Sequence, residues 1–142
     1  NVGNVENMCS MFSYSQFTGD ISRWDVSSVR DMYGMFKHSN FNGDISRWNT
    51  ERVNYMAEMF LESIFNQDIS RWNIRNLFNI KNIFKDNTTF NHRLSKWYKK
   101  RPGLRDQFNA YIREELLMTS FEEWIEYEDS SSKNKRRARS TN

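Results

Sequence analysis

The 142-residue chain holds a single cysteine, Cys9, and only three alanines. One cysteine excludes an internal disulfide and any multi-cysteine metal site. Three alanines beside 17 asparagines make a poor composition for long helices. Asparagine instead suits turns and tolerates left-handed backbone. The longest apolar run is far too short to span a bilayer, and no secretory signal pattern is visible. There is no glycine-rich phosphate loop and no zinc-ligand spacing. His38 and His92 stand singly, and no serine, cysteine or carboxylate recurs beside either in a triad-like pattern. These absences argue against an enzyme, a cofactor and a bound metal.

Apolar residues are also scarce, at 37%, but aromatics reach 15%. Burial must therefore rest on a few large side chains (Trp, Phe and Met), each worth about 1.5–3 kcal/mol when fully buried. Those side chains are strictly periodic. Trp24, Trp48, Trp72 and Trp97 are separated by 24, 24 and 25 residues. Phrases of the form Phe-Asn-x-Asp-Ile-Ser-x-Trp begin at Phe17, Phe41, Phe65 and Phe90. A fixed period in this range is the mark of a repeat architecture.

Each copy has two halves. In Ile21–Val26, Trp24 and Val26 alternate with Arg23 and Asp25, which predicts a short strand with one face buried. The other half carries Val26, Val29, Met32, Met35 and Phe36, spaced by threes and ending in an adjacent pair. That spacing predicts a short helical or 3₁₀-like segment, too short to stand alone. Val2, Val5, Met8, Met11 and Phe12 repeat it one period earlier. The expected fold is an α/β repeat: a short leucine-rich-repeat-like solenoid, strand plus short helix per coil, over residues 1–97, in about four coils with the first incomplete. The last copy drifts from the pattern, with Arg93 in place of Asp, as a capping repeat should. Leu104, Phe108, Tyr111, Ile112 and Leu116 then recur at helical spacing, and Ser120 with Glu123 makes a capping box. Residues 98–128 are thus expected to form a helical C-terminal cap, and 129–142 a disordered basic tail. The chain opens at Asn1 part-way through a copy. That reads as a processed or truncated product, with the stacking face of its first coil open to other protein subunits.

The run Phe-Asn-x-Asp-Ile-Ser-x-Trp, then Val-x-x-Met-x-x-Met-Phe, resembles the repeat of about 25 residues found in BspA-like and Mycoplasma-type surface lipoproteins, grouped with leucine-rich repeats. Related repeats look familiar from large DNA viruses. The resemblance covers residues 1–97. It implies a solenoid that binds other macromolecules and has no catalytic centre, placed at a cell surface or on a viral particle.

Three periodic polar columns could carry function. Asp20, Asp44 and Asp68, each followed two residues on by serine, read as caps for turn amides rather than a calcium column. Asn42, Asn66 and Asn91 read as a ladder satisfying turns. Arg23, Arg47, Arg71 and Lys96 each precede a tryptophan and so point outward; neighbouring rows would set like charges about 5 Å apart. They read either as a solvated basic face or as a docking surface for an acidic partner. Lys133, Lys135, Arg136, Arg137 and Arg139 form a basic run that suits a solubilising tail, a localisation signal or a nucleic-acid contact. The leading expectation is a non-enzymatic protein-interaction module, one component of a larger surface or particle assembly such as a virion. A nucleic-acid-associated protein acting through the tail and a host-binding adhesin are the alternatives.

Overall fold

The computed structural model describes residues 1–104 and Gln107. Successive copies lie directly on one another. Met32, Gly34, Phe36 and His38 donate their backbone N–H groups to the carbonyls of Tyr55, Ala57, Met59 and Leu61 at 2.8–2.9 Å. The same four positions link the first copy to the second, from Met8 to Asp31 onward, and the third to the fourth, from Met56 to Asn79 onward. Three sets of four bonds thus join four copies.

The residues between these donors bond within their own copy. Met35, Lys37 and Ser39 donate to Met32, Gly34 and Phe36 at 3.1–3.2 Å. This segment is a ribbon of overlapping four-residue turns. Backbone with φ of 50–57° recurs at every fourth residue of it: Ser10 and Tyr14, Gly34 and His38, Glu58 and Glu62, Asn82 and Asp86. A positive φ at the third position marks a type II turn. A left-handed residue every fourth position is incompatible with a helix.

The expected α/β solenoid with a helical cap is therefore corrected. Among the described residues there is no strand element, only isolated parallel bridges linking Asn7, Asp31, Tyr55 and Asn79 in sequence. Those bridges fall in the half expected to be helical. The half expected to be a strand is a turn, because Trp24 N–H donates back to Ile21 at 3.1 Å and the Asp20 carboxylate holds the Ser22 amide. Among the described residues the helical elements are α1, Ser95–Lys100, and a 3₁₀ turn, Pro102–Leu104, with Gln107 also in helical backbone. The rest of the expected cap, its capping box and the tail 129–142 lie outside the described residues.

Aromatic rings fill the interior in columns. Phe12, Phe36, Phe60 and Phe84 stack at 5.4–5.8 Å, within 6° of parallel. Phe17, Phe41, Phe65 and Phe90 form a second column at 6.4 Å. Within a copy the two columns touch, as Phe60 and Phe65 do at 4.1 Å. Trp48, Trp72 and Trp97 form a third column at 6.3 Å. Each indole N–H reaches back one copy, to Ile21, Ile45 and Ile69, at 3.0–3.2 Å. The indole thus buries its area and satisfies its donor together.

Side chains absorb the irregularities. Ser15, Ser39 and Ser63 each accept the amide two residues on, opening the turn into the next phenylalanine. The fourth copy has one residue more before Phe90, and Asn87 stands in the serine column. Its longer side chain accepts from both the Thr89 and Phe90 amides at 3.0 Å and donates to Phe65 O at 3.1 Å. Beyond the last copy, Gln107 takes the place of another backbone: Ile80 N–H donates to its Oε1 at 2.7 Å, and its Nε2 donates to Phe78 O at 2.8 Å. Arg101 donates to the carbonyls of Ile74 and Arg75.

Two outcomes follow. Phe60→Ala, at the centre of a buried column, is expected to cost about 3–5 kcal/mol in denaturant unfolding, and the half-buried Phe12→Ala distinctly less. Asn87→Ala strands buried amides and is expected to cost about 1–3 kcal/mol; deleting Thr88 together with Asn87→Ser restores the regular spacing and should recover part of that loss.

Candidate functional site

The Asp-x-Ser-Arg corners are built from the inside outward. Ile21 and Trp24 are tied by the turn bond, and Ile45 with Trp48 and Ile69 with Trp72 repeat it, all within the core or packed on it. The two residues between them must then face solvent. In the first three copies those are Ser22–Arg23, Ser46–Arg47 and Ser70–Arg71, and all three arginines are exposed. Lys96 occupies the same place, since Trp97 N–H donates to Leu94 O at 2.9 Å. There, however, the chain continues into α1 and has no Asp corner, because Arg93 stands in that position.

The carboxylates of Asp20, Asp44 and Asp68 accept the amides of Ser22, Ser46 and Ser70 at 2.9 Å. The serine hydroxyls, then the amides, hold Asp20 and Asp44 below the ordinary carboxyl value of 3.8; for Asp68 the amide comes first and the hydroxyl second. The neighbouring arginine charges push each in the same direction. Asp20, Ser22, Arg23, Asp44 and Arg47 line a recess of about 300 Å³ between two copies. Among the described residues, none of Arg23, Arg47 and Arg71 is held in an ion pair. Glu51 pairs with Arg75 at 3.1 Å, and Asp25 is occupied by the Ser27 amide and hydroxyl. The arrangement offers two outward guanidinium groups whose nearest carboxylates are already engaged. An incoming carboxylate or phosphate can take the free donors.

The Asn column is likewise in place. Asn42 Oδ1 accepts the Asn66 amide at 2.7 Å, and Asn66 Oδ1 accepts the Asn91 amide at 3.0 Å. The basic run Lys133, Lys135, Arg136, Arg137 and Arg139 lies outside the described residues. Among the described residues no group of three His, Cys, Asp or Glu side chains could hold a metal. No helix there is long and apolar enough to cross a membrane.

Sequence reasoning missed two groups that bridge copies. Glu58 receives Lys37 Nζ at 2.8 Å and the Tyr33 hydroxyl at 3.0 Å. The ammonium holds the Glu58 carboxyl low, while the carboxylate raises both Lys37 and Tyr33. His38 stacks on Tyr14 at 4.4 Å and sets Nδ1 2.8 Å from Glu62. Tyr14, His38 and Glu62 stand one period apart and form a column that the period shows, whereas the Glu58 group lies off the columns. The offsets from Glu58 to Lys37 and Tyr33, 21 and 25 residues, are one period less three and one period plus one. Reading diagonals of the repeat would have found that group.

The lowered Asp values fix the sign of the acid response. The stability they contribute is complete above the unfolded value and is lost as pH falls through the lowered folded values. Thermal unfolding should therefore change little from pH 7 to about pH 5 and shift to lower temperature below about pH 4. In Asp20→Asn/Asp44→Asn/Asp68→Asn, amides can still accept the serine N–H groups, as Asn49 accepts from Glu51. The acid limb of that variant should be shallower.

No curated protein and no solved structure matches the chain. A family model does, over residues 1–97, the same stretch that carries the period. That match spans well over half of the chain, which belongs to the family described as Mycoplasma protein of unknown function, DUF285.

Proposed function

We propose that this chain is a non-catalytic protein-interaction module, one component of a larger surface assembly, and that its basic column receives acidic side chains of a partner. The observation that carries this reading is the repeated exposed arginine, Arg23, Arg47 and Arg71, on corners whose own carboxylates are already bonded. A rigid scaffold holds the three at one copy's rise, so a partner's acidic groups meet a fixed row rather than scattered charges. Rim charges of this kind set association rate and partner choice more than they add raw affinity. The BspA-like kinship of the repeat agrees with a role outside catalysis, and fold-level analogy goes no further than that. The basic run at 133–139 supplies a separate polyanion contact, which deleting residues 129–142 would remove without touching the corner arginines.

The reading is tested in the chain lacking residues 129–142, so that the basic run does not contribute, with an oligoglutamate peptide of about ten residues, a probe that presents carboxylates and nothing else. Binding should weaken as salt rises, because exposed charges are screened. It should fall at least tenfold in Arg23→Glu/Arg47→Glu/Arg71→Glu. Equal binding by that variant would remove the basic column from the account.

A further inference from the structure

The dipeptide Asn-Gly occurs once in the chain, at Asn42–Gly43. It opens a corner, where Asn42 is exposed and Gly43 half-buried. The side-chain carbonyl of Asn42 is doubly engaged. Its Oδ1 accepts the Asn66 amide at 2.7 Å and Gln67 Nε2 at 3.3 Å. Gln67 Nε2 also donates to the Asn42 backbone carbonyl at 3.1 Å, which holds it over the same residue. Among the described residues, Asn42 Nδ2 and the Gly43 N–H donate to no acceptor. One amide carbonyl thus carries two donors beside a free backbone nitrogen, and glycine has no side chain to hinder that nitrogen. The other members of the column differ. Among the described residues, Asn66 Oδ1 accepts the Asn91 amide alone, and Asn66 is followed by Gln67; Asn91 is followed by His92.

From this geometry we propose that Asn42–Gly43 is a site of spontaneous modification in the folded protein, assisted by the Asn ladder and independent of the basic column. The Gly43 nitrogen gives its proton to solvent base and attacks Asn42 Cγ. The new N–C bond closes a ring, and the charge that develops falls on Oδ1. The Asn66 amide and the Gln67 side chain already point at that oxygen, as the donors of an oxyanion hole do. Nδ2 takes a proton from water and leaves as ammonia, which gives a cyclic imide joining the two residues. Water then opens the imide at either carbonyl carbon. Opening at Cγ leaves an ordinary aspartate. Opening at the main-chain carbon leaves isoaspartate, with the backbone running through Cγ and longer by one methylene. The ordinary product keeps an acceptor for the Asn66 amide and adds a negative charge close ahead of Asp44. The isoaspartate product lengthens the backbone between the Phe41 ring, stacked on Phe65 at 6.4 Å, and the Asp44 carboxylate, bonded to the Ser46 amide at 2.9 Å. It therefore works against the register of the corner.

The test incubates the full 142-residue chain, folded, in mildly alkaline buffer. Peptide-mapping mass spectrometry then reads the exchange of NH₂ for OH, and chromatography separates the two isomeric products. Conversion at Asn42 should outrun that at Asn66 and Asn91 at least tenfold. Gly43→Gln installs the residue that the third copy carries at this place and should abolish the conversion. Gln67→Met removes one donor at nearly constant size, and Gln67→Glu replaces the donor by an acceptor. Each should slow conversion at least threefold in the folded chain, with no change once the chains are unfolded in urea. Conversion at Asn42 only after unfolding would overturn the inference, because the fold would then protect the site. Equal folded-state rates in the wild type and both Gln67 variants would overturn it as well, because the ladder would then contribute nothing.

Discussion

The structure depends on one hydrogen-bond rule: every second amide of the turn ribbon must meet a carbonyl one copy further on. Each unmet buried amide costs about 1–3 kcal/mol, so the rule fixes the length of a copy far more tightly than core composition does. The rule also explains why bulky residues accept left-handed backbone. Tyr14, Glu58 and Glu62 carry φ of 57°, 54° and 50°, at a cost of roughly 1–2 kcal/mol each. Each of these residues donates its N–H to the next copy, and the turn cannot aim that group otherwise. Aromatic stacking follows from the same rule, because copies held in register bring like side chains over like.

Departures from the period show the same rule being kept by other means. Where the fourth copy has an additional residue, Asn87 spans it with a side chain that reaches one amide further than serine does. Where the backbone ladder ends, the primary amide of Gln107 supplies one donor and one acceptor, as a peptide group would. Polar side chains therefore carry much of the structural load in a chain poor in aliphatic residues. That accounts for its many asparagines: Asn1, Asn7, Asn49, Asn73 and Asn79 all hold an amide two residues on.

Much of this was legible in the sequence, and the part that was not has a physical cause. The spacing of Trp24, Trp48 and Trp72 gave the period, and the outward placement of Arg23, Arg47 and Arg71 followed from the inward-facing tryptophan beside each. The capping role of Asp20, Asp44 and Asp68 was readable from the serine two residues on. Secondary structure was misread because steps of three apolar residues fit a helix and a ribbon of overlapping turns equally well. Only backbone angle separates the two, and Glu58 or Tyr14 gives no sign of a positive φ. Alternation around Trp24 similarly suggested a strand, although the Asp20–Ser22 contact bends the chain there. Gln107 and the Lys37–Glu58 pair were invisible because they occur once and have no column.

The columns that the copies build, aromatic inside and polar outside, exist only in register, so register is the claim to test most directly. The measurement is thermal unfolding of two internal deletions. Removing residues 41–64 joins Asn40 to Phe65 and takes out one whole copy; the remaining chain should unfold cooperatively at a lower temperature. Removing residues 34–56 joins Tyr33 to Ala57 and leaves one residue too many inside the turn ribbon, where every second amide must meet a carbonyl; cooperative unfolding should be lost. Equal behaviour of the two deletions would contradict the account.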